Sequence, residues 1–250
     1  MDVDAGILEK VYQENYFKGE EYLDYARDKH VLQRNFDRRL SYLASFTNFA
    51  ADTQAIEIGC AYGFFGEVLR RKFPALAYLG FDVVPEACEH AVRHLGLNVQ
   101  CADFLEVDPV PRAQHVFMWD VIEHLQNPQH YLEKIGKTLE SAGRVYITTG
   151  DISAALPRLQ RHRWRMIHPP SHLHYFSRRS LEQLLRRYGF RVLKIRYPST
   201  ARSLKQIYYS LFMLKRHGRP LHALVHRTIP EEAFVSLNTF DIMLAVAEKQ

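Results

Sequence analysis

Five acidic residues and a crowd of histidines hold the chemistry this sequence could perform. Glu57 stands two residues before Gly59 in QAIEIGCAYGFFGEVLRR, residues 54–71, where a short apolar run gives way to glycines and then to an apolar-faced helix. Asp82 closes LGFD, Asp103 lies in ADF, and Asp120, Glu123 and His124 fall together in WDVIEHL. His162, His168, His172 and His174 share a stretch that also carries Pro169 and Pro170. A strand, a glycine turn and a helix make a cradle in which free helix N–H groups face a ligand. Carboxylates at the ends of neighbouring apolar runs suit hydroxyl, amino or cationic groups of that ligand, and a histidine titrating near neutrality suits proton removal from an acceptor.

The elements that must position these residues alternate regularly. Strands are expected at Ala55–Ile58, Ala77–Phe81, Val99–Cys101, His115–Trp119 and Gly143–Thr148, with helices from near Phe64, over Pro85–Leu95 and over Pro128–Leu139. A helix over Ser180–Tyr188, ended by Gly189, and strands over Phe190–Tyr197 and Phe240–Ala247 complete the pattern. This order predicts an α/β fold: a doubly wound, seven-stranded, mostly parallel sheet with an antiparallel last strand, N-terminal helices and a helical insert before that strand. Ligands in such sheets lie beyond the carboxyl ends of the strands, where strand order reverses. One domain over 1–250 is expected, divided into an N-terminal helical lid (1–49), a cofactor-binding core (50–197), a basic helical insert (198–239) and the last strand (240–250).

Within the lid, two or three helices are expected between Ile7 and Phe49. Phe36, Leu40, Leu43 and Phe46 recur near helical spacing and read as core. Tyr12, Tyr16, Phe17, Tyr22 and Tyr25 cluster around Gly19, and Tyr22 or Tyr25 is a candidate to cover a ligand, since tyrosine joins an apolar body to a polar tip.

The net charge of +5 conceals a split. Residues 151–229 carry 17 Lys and Arg against 2 Asp and Glu, a net +15, while the remainder carries 16 against 26, a net −10. A solvated basic face and a face that meets an anionic partner both fit this distribution. Cys60, Cys88 and Cys101 show neither an even count nor metal-ligand spacing, which suits a reducing compartment. Without an apolar leader or a run near the roughly 18 to 20 residues of a membrane span, a cytoplasmic location is expected.

The cradle discriminates between cofactors. A dinucleotide site places glycines as G-x-G-x-x-G, with no acid competing for the pyrophosphate. Here the glycines are Gly59, Gly63 and Gly66, Ala61 stands where another could be, and Glu57 precedes them. That carboxylate would repel a diphosphate and suit a ligand bearing an ammonium and a sulfonium, which is S-adenosylmethionine. Asp82, 19 residues after Gly63, is placed to accept from a ribose diol, or to cap the helix starting at Pro85. Asp103 could meet an adenine amino group, or cap its own loop.

The series EIGCAYG, GFD, ADF, FMWDVIEHLQNP and LESAGRVYITTG resembles the class I S-adenosylmethionine-dependent methyltransferases over roughly residues 50–197, plus the final strand. Ala61 departs from the commonest form of the glycine motif. The resemblance implies that Glu57, Gly59, Ala61 and Gly63 surround the methionine part of the cofactor, that Asp82 with Val83 holds the ribose, and that Asp103 with Phe104 flanks the adenine. It also implies that Asp120 and the residues after it form a loop beneath the transferred methyl. DVIEHL and the segment HPPSHLHYFSRRSLEQLLRRYGF, with His172 its most typical position and Trp164 before it, are similar to the branch that methylates quinone precursors, sugars and antibiotics.

Methyl transfer is a direct displacement that needs an aligned acceptor with its lone pair unencumbered, so a hydroxyl acceptor calls for a base. His172 is the first candidate, then His124 and His168, with structural tying of two loops an equal reading for His124. No metal site is expected: His172 and His174 point to opposite sides of an extended segment, and a third ligand would have to come from Glu123, His124 or Asp151. The expected activity is methylation of an oxygen on a small, anionic or carrier-linked metabolite; N- or C-methylation of a small molecule and RNA or tRNA methylation are the alternatives. No Asn/Asp-Pro-Pro-Tyr or Pro-Cys motif supports a DNA enzyme. Leu204, Ile207, Tyr208, Leu211, Phe212 and Leu214 give the insert an apolar face flanked by Arg202, Lys205, Lys215 and Arg216, which reads as a substrate lid, a homodimer contact, or a contact with a membrane surface or carrier protein.

Overall fold

Alternation along the strands sorts the core into two layers, one on each face of a single sheet. The computed structural model describes residues 26, 28–50, 53–208, 230 and 233–250. Nine strands are described: β1 (Gln54–Ile58), β2 (Ala77–Asp82), β3 (Val99–Cys101), β4 (Ala113–Trp119), β5 (Leu139–Gly150), β6 (Phe190–Arg196), β7 (Thr200–Ser203), β8 (Phe234–Leu237) and β9 (Ile242–Lys249). Seven of them form one sheet in the order β3-β2-β1-β4-β5-β9-β6. Every neighbouring pair from β3 to β5 is parallel, and β9 runs antiparallel to both β5 and β6.

The register explains the layers. Ile56 pairs with Leu79 and Val116, Val116 with Val145, and Val145 with Ala247; Ile58, Phe81, Met118, Ile147 and Ala245 form a second row on the same face. Against this face pack α4 (Pro128–Thr138), through Leu132 and Ile135, and α6 (Arg178–Arg187), through Leu181 and Leu185. The opposite face carries Ala55, Phe117, Tyr146, Leu244 and Val246, covered by α1 (Lys29–Ala44) and α2 (Phe64–Lys72). Helices α3 (Pro85–Arg93), α5 (Ala155–Gln160) and α7 (Leu204–Tyr208) complete the described set. Strand order reverses between β1 and β4, which places the ligand crevice at their carboxyl ends.

The expected doubly wound sheet with an antiparallel last strand is the one observed, with β5 beginning at Leu139 instead of Gly143. Of the expected N-terminal helices, α1 is described; Phe36, Leu40 and Leu43 are buried on it, while Tyr12, Tyr16, Phe17, Tyr22 and Tyr25 lie outside the described residues. The ends of the insert differ from the helical expectation. Strands β7 and β8 pair antiparallel as a two-stranded ribbon. Asn35 on α1 serves as that ribbon's third partner, its Oδ1 accepting from the Ala201 amide at 2.7 Å and its Nδ2 donating to the Ala201 carbonyl at 2.9 Å. A buried side-chain amide thus takes the place of a neighbouring strand's backbone groups, which leaves the ribbon polar-satisfied without any apolar alternation to announce it. Residues 209–229, with Leu211, Phe212, Leu214, Lys215 and Arg216, lie outside the described residues.

Candidate active site

The glycine turn and the end of β2 are built as one unit. The amides of Gly59 and Cys60 both donate to the Phe81 carbonyl, at 2.8 and 3.0 Å, so β1 turns directly over the end of β2. Gly59 has φ +73°, and a Cβ there would lie 2.5 Å from Val121 Cγ2, so the turn after β1 also touches the loop after β4. Ala61 is left-handed as well, at φ +46°, and its amide donates to Asp82 Oδ2 at 2.7 Å. Asp82 Oδ1 accepts from the Val84 amide at 3.0 Å, and α3 has no side-chain cap. Asp82 therefore braces two loops at once. Burial pushes its carboxyl up, and the backbone donors pull it back. Val83 is half exposed beside it, with Gly63 at φ +78° opening α2.

Glu57 lies under this turn, on the α1/α2 face. Tyr78 on β2 donates to Glu57 Oε2 at 2.5 Å. The tyrosine ring reaches it through a slot that two glycines keep open: a Cβ on Gly66 would meet Tyr78 Cζ at 2.6 Å, and one on Gly80 would meet Tyr78 Oη at 2.8 Å. Gly66, which the sequence groups with the ligand-binding glycines, serves the tyrosine. Burial drives the Glu57 carboxyl well up, the Tyr78 hydrogen bond offsets part of that, and the nearby Asp82 charge adds to it. A cation brought against Glu57 would reverse the balance and favour the carboxylate.

At the outer strands, Asp103 Oδ1 accepts from the Leu105 amide at 2.8 Å and from the Tyr131 hydroxyl at 2.7 Å. It shapes its own turn and ties that turn to α4. The Phe104 side chain is buried in the core, edge-on to Phe81 at 5.3 Å between ring centroids, so a ligand could meet this residue only through its main chain.

The loop after β4 holds acceptors without donors. Asp120 has φ +56°, and its amide donates to the Thr148 carbonyl and hydroxyl, at 3.1 and 3.0 Å. Its Oδ2 lies 3.7 Å from Arg39 Nη1 on α1, while its buried Oδ1 has no hydrogen-bond partner among the described residues. Arg39 is itself buried, with its guanidinium 5.5 Å from the Trp119 ring centroid. Glu123 is 2% exposed, and neither carboxylate oxygen reaches a hydrogen-bond partner among the described residues. Burial and the Asp120 charge push the Glu123 carboxyl up to about 8.

The histidine loop is stitched to that same loop. The Glu123 carbonyl accepts from the amides of Leu173 and His174, at 2.9 and 3.0 Å. His124 Nδ1 lies 2.9 Å from the Ser171 carbonyl, and His172 Nδ1 2.8 Å from the Met166 carbonyl. A carbonyl only accepts, so in each ring Nδ1 carries the proton and Nε2 is the basic nitrogen of the neutral form. The two rings stand perpendicular, 4.5 Å apart, and His168 lies 6.1 Å from His172 with its Nδ1 on the Ser171 hydroxyl at 3.2 Å. The three histidines named from the sequence thus come together beside Glu123. His174 Nε2 lies instead 3.4 Å from the Gln126 carbonyl. Beneath the loop, the Asp241 carboxylate takes Trp164 Nε1 at 2.7 Å and Arg165 Nη1 at 2.5 Å. Although burial works against it, Arg165 with the Thr239 and Trp164 hydrogen bonds holds the Asp241 carboxyl below its ordinary value.

Three contributors escaped sequence reasoning. Arg39 had a signal: it lies on the apolar stripe of α1, three residues after Phe36 and next to Leu40, where a charge must find a buried role. Tyr78 and Asp241 had none, since their partners Glu57 and Trp164 are 21 and 77 residues away.

An adenosyl ligand with a cationic methionine end fits these residues. Each Asp82 oxygen spends one lone pair on a backbone amide and keeps another for a diol, and the orphaned Asp120 oxygen is an acceptor open to a donor or a cation.

Comparison with known proteins agrees. The chain is 27% identical over 103 residues to trans-aconitate 2-methyltransferase of Methylobacterium nodulans, a span of 41% of this chain and 40% of that protein. It is 27% identical over 132 residues to ubiquinone biosynthesis O-methyltransferase of Bradyrhizobium diazoefficiens, covering 51% and 49%. The matches thus span about half the length, or less, of these curated relatives. Among solved structures, magnesium protoporphyrin IX methyltransferase from Synechocystis PCC 6803 aligns over 99% of this chain and 100% of its own, with TM-score 0.62 and 12% identity. The [4+2]-cyclase SpnF aligns over 95% and 85%, with TM-score 0.58 and 16% identity, so the scaffold alone does not decide the reaction. The family described as methyltransferase domain matches residues 25–195. This chain belongs to that methyltransferase domain family, whose cofactor is S-adenosylmethionine.

Proposed function

We propose that this protein transfers a methyl group from S-adenosylmethionine to an oxygen of a small, anionic acceptor bound between the loop after β4 and the histidine loop. When bound, the cofactor supplies a methyl on a sulfonium, an electrophile that needs no further activation. In this reading Asp82 holds the ribose hydroxyls, Gly59 and Gly63 bring the backbone close to the methionine end, and Asp120 offers negative charge to its cationic part. His172 accepts the acceptor's proton on Nε2, with His124 fixing the ring edge-on and His168 next in line.

The observation that carries this reading is the carbonyl partner of each ring. Met166 and Ser171 hold Nδ1 protonated in His172 and His124, which directs basicity to Nε2 in both. An anionic acceptor is supported by the net +15 of residues 151–229, which include the histidine loop. The name of the Methylobacterium relative, which gives trans-aconitate as its acceptor, points the same way.

Methyl-labelled S-adenosylmethionine offered with a panel of hydroxy acids, phenolic acids and amines tests the assignment. Label should enter a hydroxyl acceptor, and His172→Asn should lower kcat by about 10²- to 10⁴-fold with cofactor affinity unchanged. Labelling of amines alone, with His172→Asn fully active, would overturn both the acceptor atom and the base.

A further inference from the structure

We infer that the segment from Arg158 to Arg163 is a docking surface for an anionic lipid bilayer. Its sequence, RLQRHR, is exposed at every position. Leu159 at its centre is 82% exposed, the highest value among the exposed large hydrophobic side chains of the described residues. Arg158, Arg161 and Arg163 around it make no ion pair among the described residues, whereas Arg165 and Arg178 nearby are neutralised by Asp241 and Glu182. Three uncompensated cations around one protruding leucine match the two forces that hold a peripheral protein: attraction to anionic headgroups and insertion of an apolar side chain.

The segment is a platform. Trp164, which follows it, is 2% exposed, its ring lies against Gly150 at the end of β5, and its Nε1 is fixed by Asp241. Arg161 is held at φ +52°, a left-handed conformation that costs a non-glycine residue about 1–2 kcal/mol and persists where the surroundings impose it. The anchored turn lies in the chain between β5 and the histidine loop.

Nucleic acid is the weaker partner for this surface. The exposed run contains no Phe, Tyr or Trp on which bases could stack, and its leucine would gain nothing from a phosphate backbone. The inference concerns binding and stands apart from the methyl-transfer reading.

Co-sedimentation of the full chain with phosphatidylcholine vesicles, and with vesicles containing a third phosphatidylglycerol, tests it. Binding should require the anionic lipid and weaken with salt. Replacing Arg158, Arg161 and Arg163 together by Gln should lower partitioning about 100-fold, from roughly fivefold per cation. Leu159→Ser should lower it severalfold, with circular dichroism and cofactor binding unchanged in both variants. Equal binding to neutral vesicles, no binding to either, or wild-type binding by the triple variant would overturn the proposal. Retention of RNA, lost in the triple variant and without vesicle binding, would overturn it in favour of a nucleic-acid surface.

Discussion

The amide of Ala61 donates to Asp82 Oδ2 across 2.7 Å, so the carboxylate that ends β2 also sets the turn that ends β1. One side chain therefore links the loops after β1 and β2, and a disturbance of either loop is felt by the other. Its second oxygen, bonded to the Val84 amide, extends the brace to the start of α3.

Ala61 adopts φ +46°, where an alanine bears a penalty of about 1–2 kcal/mol that a glycine avoids, less the greater freedom glycine brings to the unfolded chain. Ala61→Gly should be neutral to stabilising by up to about 1 kcal/mol in urea unfolding, with S-adenosylmethionine affinity within about twofold of wild type. A clear destabilisation would show that the turn is not strained.

Gly66 leaves the slot for the Tyr78 ring. Gly66→Ala should destabilise by about 1–3 kcal/mol through overpacking, because the displaced atoms belong to a ring wedged between α2 and β2. Tyr78→Phe should cost about 1–3 kcal/mol by taking the hydroxyl from a buried carboxyl group. Chemical denaturation of both variants checks this, and a Gly66→Ala protein as stable as wild type would refute the slot.

Glu123 titrates near 8 in the folded chain against an ordinary value of 4.5. Between those values the folded protein keeps a proton that the unfolded chain has released, so this stabilising contribution is full below 4.5 and is lost as pH rises through 8. Relative to Glu123→Gln, wild-type stability should fall by roughly 1 kcal/mol per pH unit between pH 5 and 8. Parallel stability curves for the two proteins would contradict the burial of an ionisable Glu123.

His115 works in the opposite sense. Burial and the Arg144 charge lower its ring to about 4 from an ordinary 6.5, so the unfolded chain takes up a proton first as pH falls. Wild type should lose about 2 kcal/mol between pH 7 and pH 5 through this group, a loss that His115→Gln should not show in the same urea series.

Much of the candidate site was legible because local signals coincide with its residues. Glu57, Gly59 and Gly63 sit on a strand-to-helix junction that apolar periodicity marks, Asp82 ends the next apolar run, and His124, His168 and His172 stand in loops between clear elements. The tertiary bracing was not. The Asn35–Ala201 pair spans 166 residues and replaces a strand by a side-chain amide, which no local pattern encodes. The resemblance to the methyltransferases implies Phe104 as a flank for adenine, yet its ring is core, because position along a loop says nothing about which way a side chain turns.

Asp82 and the glycine turn are proposed to hold S-adenosylmethionine. Isothermal titration calorimetry of the wild-type chain and Asp82→Asn tests it most directly. Saturable one-to-one binding by wild type, at least about tenfold weaker in a folded Asp82→Asn, is the predicted result, from the loss of charged hydrogen bonds to a diol. No binding by wild type, or equal affinity in the two proteins, would contradict it.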